Sequence, residues 1–150
     1  MPDRLCGVRV SPDTLAPLLP DGAEFKEKKY DFSPDRPRCR LIVDKKVVLH
    51  IRGDVVSTDT DPFEVRARSL RMGGNPAPAT GPLGRDARIT DSWAIAVKSC
   101  HYQGSPHKYA IEVELTAGKL VPTDTAKRRK ALEAFLDGYV PTALKAQGCS

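Results

Sequence analysis

The chain reads as an α+β domain: an antiparallel β-sheet, a long C-terminal helix and one or two shorter helices packed on it, with two disulfides. Three observations carry this expectation. Residues 109–116 alternate apolar and polar, the period of a strand with one face buried. Leu132, Phe135, Leu136, Tyr139 and Val140 follow the i, i+3, i+4, i+7, i+8 spacing of a helix with one apolar stripe. Four cysteines, Cys6, Cys39, Cys100 and Cys149, are even in number and widely spread, which suits two bridges.

The elements follow in order. Ser11-Pro12 opens a short helix carrying Leu15, Leu18 and Leu19, kept short by Pro17 and Pro20. Residues 24–32 read as a charged edge strand with Phe25, Tyr30 and Phe32 as its apolar members, and Pro34 and Pro37 mark a turn. Cys39–Val43 and Val47–Arg52, separated by Asp44-Lys45-Lys46, form a hairpin ended by Gly53-Asp54. In it Val47, Leu49 and Ile51 share one face, and Val48, His50 and Arg52 the other. Asp61-Pro62-Phe63-Glu64 starts a second helix with an aspartate cap, with Phe63, Ala67 and Leu70 on one side and a stop at Gly73-Gly74. Residues 72–84, rich in glycine and proline, form a flexible loop or flap inside a single domain spanning 1–150. Ala87–Ile89 is a short strand, and Ser92–Lys98 a longer one with Trp93, Ile95 and Val97 facing inward and Cys100 at its end. A turn at Gln103-Gly104-Ser105-Pro106 leads to the alternating strand, whose inner face is Tyr109, Ile111, Val113 and Leu115 and whose Glu112 and Glu114 face solvent. The last helix starts near Thr123, is broken or kinked at Pro141, and delivers the chain to Cys149.

Structural zinc sites take their ligands in close pairs, and no two of these cysteines are so placed. Three connectivities are open; the sequential pairing, Cys6–Cys39 and Cys100–Cys149, is the expected one, each closure contributing about 4 kcal/mol in the chain-entropy model. At 150 residues the chain buries enough surface for an apolar core, so the bridges reinforce a fold that does not depend on them alone. They also indicate a location outside the reducing cytosol, extracellular or on the outer face of a membrane. Residues 1–22 contain no signal h-region and no span. Any leader or membrane anchor is expected upstream of Met1.

The net charge of +5 hints at an anionic partner, but acids are interleaved with bases, and the one dense run, Lys127-Arg128-Arg129-Lys130, reads first as a solvated helix face. Its alternative is a binding patch for nucleic acid or an anionic polymer. Against nucleic acid stands the lack of exposed aromatics beside a basic groove. Cys100-His101 with His107 is the one place for a nucleophile or a metal site. A bridged Cys100 removes the first, and two histidines without a carboxylate make a poor second. His50 stands alone on a strand. Asp54, Asp59 and Asp61 lack calcium-loop spacing, and the glycines at 73–74 and 81–84 match no phosphate-cradling loop. No catalytic, cofactor-binding or metal-binding residue is assigned, and no cofactor. A groove, if present, is expected between the flap from Gly73 to Gly84 and the strand faces near His50.

Leu5-Cys6-Gly7, Leu18-Leu19-Pro20, Cys39 at the start of a hairpin, Gly84-Arg85-Asp86-Ala87 before the Trp93 strand, Cys100 and Gly148-Cys149 together resemble the ectodomains of actinobacterial secreted lipoproteins and single-pass membrane proteins of unknown function. The resemblance implies a PsbP-like domain with a twisted antiparallel sheet, extracytoplasmic and without an assigned activity. The sequence lacks a lipobox before a lipidated cysteine, so Cys6 is read as structural. The functional expectation is a non-catalytic, monomeric accessory, sensor or partner-binding module for an unknown protein or cell-envelope component.

Overall fold

The computed structural model describes residues 2–67 and 74–150. A small hairpin of β1 (Arg4–Leu5) and β2 (Val8–Arg9) leads into α1 (Pro12–Leu15), which continues as a 3-10 turn at Ala16–Leu18. The main sheet comprises β3 (Phe25–Lys29), β4 (Arg38–Val43), β5 (Lys46–Val56), β6 (Ala77–Pro78), β7 (Ala87–Ile89), β8 (Trp93–Tyr102) and β9 (Ser105–Leu115). The spatial order is β3-β4-β5-β9-β8-β7-β6, antiparallel throughout. Two meanders therefore meet where β5 pairs with β9. The helix α2 (Pro62–Ala67) lies in the crossover between them, and α3 (Thr125–Gln147) closes the chain. Among the described residues no helix is long and apolar enough to cross a membrane.

Local chemistry explains these elements. Each tight hairpin turns on two residues of positive φ: Cys6-Gly7 at 51° and 87°, Asp44-Lys45 at 48° and 71°, Gln103-Gly104 at 50° and 82°. That is the turn type whose twist matches antiparallel strands. Asp61 caps α2 as expected, its Oδ1 accepting from Phe63 N at 3.0 Å. Asp124 caps α3 by accepting from Lys127 N at 2.9 Å, and Gly148 ends it in the left-handed region. The expected stripe Leu132, Phe135, Leu136, Tyr139 and Val140 is buried, against a core of Leu41, Leu49, Ile111 and Val113. Ala87, Ala94 and Ala96, all without exposed surface, lie on the strands that α3 packs against. Small side chains there let the helix approach closely.

Several expectations are corrected. The helix does not break at Pro141 but runs on to Gln147. One lost backbone bond costs roughly 3 kcal/mol, and burial of Tyr139, Val140 and Ala143 on both sides of the proline, with the bridge at Cys149, outweighs it. Strand β5 continues past Gly53-Asp54 to Val56 because β9 pairs with it as far as Lys108. Strand β8 likewise runs beyond Cys100 to Tyr102, and Ser105-Pro106 belong to β9. Within the β4–β5 pair, Leu41 faces Leu49 while Ile42 faces Val47, so Val48 is an extra bulged residue. The bulge buries Val48, not Val47, beside Leu49.

The largest correction concerns sidedness. Trp93, Ile95 and Val97 pair directly with Glu114, Glu112 and Ala110. Paired residues share a face, so these apolar residues stand opposite α3, alongside the glutamates that were expected in solvent. That face is not wet here: Trp93 is 2 % exposed, Ile95 1 % and Glu112 2 %. Phe63 of α2 packs on this second cluster, and the Glu112 carboxylate receives Arg52 Nη1 at 3.0 Å.

Of the expected flap, residues 74–84 are described. They include β6, an edge strand paired with β7, and are fastened to α3. Arg129 donates to the carbonyls of Gly74 and Asn75 at 2.9 and 2.7 Å. Glu133 accepts from the amides of Thr80 and Gly81 at 2.9 and 3.0 Å. Leu70 as a helix-face residue and Gly73 as the helix stop lie outside the described residues.

Candidate functional site

Both disulfides form in the sequential pairing, Cys6–Cys39 with Cα atoms 5.9 Å apart and Cys100–Cys149 with 4.7 Å. Two such bridges point to an oxidising, non-cytoplasmic environment. They also decide the fate of the sequence candidates. Cys100 has no thiolate to offer, and its neighbours diverge: His107 is paired with Cys100 and His101 with Pro106, which sets the two imidazoles on opposite faces of the ladder. They cannot share a metal ion. His107 Nδ1 lies 2.9 Å from the Ser105 carbonyl, which only accepts, so Nδ1 carries the proton.

The basic run at the start of α3 is split by its helical geometry. Lys127 and Lys130 are exposed. Arg128 is buried and donates to the carbonyls of Asp91 and Pro122 at 2.6 and 2.8 Å. Besides Gly74 and Asn75, Arg129 binds the Ile89 carbonyl and, at 2.8 Å, the Asp91 carboxylate. These two guanidiniums bind backbone of the preceding loop and the sheet edge. Asp54 neutralises Arg36 and Arg38, Asp61 is a cap, and His50 Nδ1 meets Tyr30 Oη at 3.2 Å on the face opposite α3.

A cavity lies on the other side of the sheet from His50. It measures about 730 Å³ and opens between the C-terminal half of α3, the β1–β2 hairpin and the helix-side face of β4, β5 and β9. Its apolar lining includes Leu5, Ile51, Ile111 and Ala143, with the Cys6–Cys39 bridge in one wall. The walls are tied in place. Thr142 Oγ1 donates to the Arg9 carbonyl at 3.1 Å, joining α3 to the hairpin; Glu27 Oε2 accepts from Cys6 N at 2.9 Å. The Cys100–Cys149 bridge and the bond from Ser150 N to the His101 carbonyl at 3.1 Å hold down the end of α3, which carries Ala146 and Gln147.

Two tyrosines set the polar character of the interior. Tyr109 rises from β9 over Gly53, where a Cβ would collide with its hydroxyl and sit 2.6 Å from its Cζ. Its hydroxyl donates to Gln147 Oε1 at 3.3 Å, and Gln147 Nε2 donates to the Pro34 carbonyl at 2.8 Å, so one side chain spans from the helix end to the β3–β4 turn. Tyr139 stacks on Phe135 with ring centroids 5.3 Å apart and is 6 % exposed. Its hydroxyl has no partner among the described residues, yet is not sealed from solvent: it opens on the cavity. Burial pushes both phenols well above the ordinary tyrosine range, and for Tyr109 the neighbouring Tyr139 adds to the rise. Both stay protonated and act as neutral donors.

This geometry matches the usual build of a small-molecule site, an apolar concavity of about 300–1,000 Å³ with a few convergent polar groups. Sequence reasoning placed Tyr109 and Tyr139 on inward faces as core residues and went no further. The available signal was their identity: a buried tyrosine, unlike phenylalanine, needs a partner for its hydroxyl. Comparison with family models, with curated proteins and with solved structures finds no match for this chain.

Proposed function

We propose that the chain is a non-catalytic, extracytoplasmic binding module whose small-molecule ligand seats in the cavity beneath the C-terminal half of α3. The observation that carries the reading is Tyr139, a residue 6 % exposed whose hydroxyl is unpartnered among the described residues, in the wall of a largely apolar cavity of about 730 Å³. Walls fixed by two disulfides support it, because a pre-formed site loses little ordering entropy on binding. The bonded state of Cys100 and the divergence of His101 and His107 weigh against a small enzyme at that place. Engagement of Arg128 and Arg129 weighs against a polyanion binder built on the run Lys127–Lys130.

The test is saturable binding of an uncharged fluorescent probe such as N-phenylnaphthylamine. One molecule should bind per chain, amide resonances of Ile111, Ala143 and Gln147 should shift, and Ala143→Trp should abolish the signal. Probe-induced shifts confined to other regions, or the absence of saturable binding, would reject the cavity as the site.

A further inference from the structure

We infer that the ligand of this cavity is an uncharged amphiphile: an apolar body with a neutral oxygen that accepts a hydrogen bond from Tyr139. The inference rests on the cavity being the binding site and adds the chemistry of the occupant. Its first support is charge closure. Four charged residues line the cavity, and each has its counter-ion within the protein. Lys29 meets Asp31 at 3.4 Å, Arg38 meets Asp54 at 3.0 Å, a carboxylate it shares with Arg36, and Arg52 extends to the opposite face of the sheet, where it meets Glu112 at 3.0 Å and Glu114 at 2.9 Å. A charged head group would have to displace one of these internal pairs to find an opposite charge, and a charge left unpaired pays a heavy desolvation cost in such a place.

The second support is the division of labour between the phenols. Tyr109 spends its proton on Gln147 Oε1. Tyr139 retains a donor that no described residue uses, held protonated by burial. A buried donor is satisfied by an acceptor, and an alcohol, ether, ester or glycosidic oxygen supplies one without bringing charge. The body of the ligand then lies on Leu5, Ile51, Ile111 and Ala143, which present carbon only.

The experiment compares n-octanol, octanoate and n-octylammonium at neutral pH by calorimetry on the intact, oxidised protein and on Tyr139→Phe. Octanol should bind one to one, and both charged analogues at least about tenfold more weakly. Removing the hydroxyl should weaken octanol binding about two- to tenfold, while the melting temperature stays where it was, because no protein group depends on it. Octanoate or octylammonium binding as tightly as octanol, or an unchanged octanol affinity in Tyr139→Phe, would overturn the inference and leave the cavity reading intact. Should none of the three compounds bind, while Ala143→Trp leaves probe binding unaffected, both would fall together.

Discussion

Replacing Cys100 and Cys149 by alanine removes the bond that holds the end of α3 to β8. The bridge closes a loop with a sequence separation of 49 residues, and the chain-entropy relation converts this to about 4.1 kcal/mol at 25 °C. Small domains are stable by roughly 5–15 kcal/mol, so the variant should lose a quarter or more of its total. Cys100 is buried, so alanine adds a small void to that figure. Urea titration followed by circular dichroism is the assay. The midpoint should fall, and the slope should rise because the unlinked denatured chain exposes more surface. The same variant should lose amide protection at 148–150 first, since, among the described residues, the strap beyond Gln147 is then held to β8 only by the bonds of Ser150 to the His101 carbonyl. A loss below about 1 kcal/mol with an unchanged slope would refute the reasoning. So would the appearance of reactive thiols when the unreduced protein is unfolded, which should yield none.

Gly53→Ala should cost about 1–3 kcal/mol because the new methyl displaces the Tyr109 hydroxyl from over the strand; a melting temperature equal to the parent's would show that Tyr109 yields freely. Arg128→Ala should cost about 1–3 kcal/mol by leaving the Asp91 and Pro122 carbonyls without their donor, whereas Lys127→Ala with Lys130→Ala should stay within about 0.5 kcal/mol, a contrast that denaturant titration reads directly. Asp137 packs one helical turn from Glu133, and burial together with Glu133 raises its pKa above the ordinary aspartate value. The folded state then binds more protons than the unfolded state just above that value, so this group's contribution falls as pH rises through the interval. Asp137→Asn should therefore be more stable than the parent at neutral pH and equal to it in acid, and equal stability at both would show that the carboxyl is not strained by folding.

Residues 109–115 and the stripe Leu132–Val140 were legible because each repeats its pattern within a few residues, so a local period reports the buried face of one element. The Asp61 cap acts on the next turn of its own helix and is local in the same way, whereas the Asp124 cap of α3 went unread beyond a start near Thr123. The even number of cysteines made two bridges legible, while the choice of the sequential pairing over the two other connectivities was settled by the folded positions of the four residues. Hidden from local reading was how the elements combine. The period of β8 was read correctly, but not its side of the sheet, because the register that pairs Trp93 with Glu114 is set by a hairpin turn and by burial on both faces. In the same way, nothing around Arg128 or Arg129 announces that carbonyls from residues 74–91 and 122 will surround them.

Alone, then, the amino-acid order determined which segments are strand or helix, since that follows from short-range sterics and capping, whereas the strand ends and the partners of the four thiols were decided by pairing across the sheet. The cavity was decided only in three dimensions: Leu5, Gly53, Tyr109, Tyr139 and Gln147 acquire a shared role when a hairpin, a sheet and a helix end converge, and no periodicity encodes the space left between packed elements.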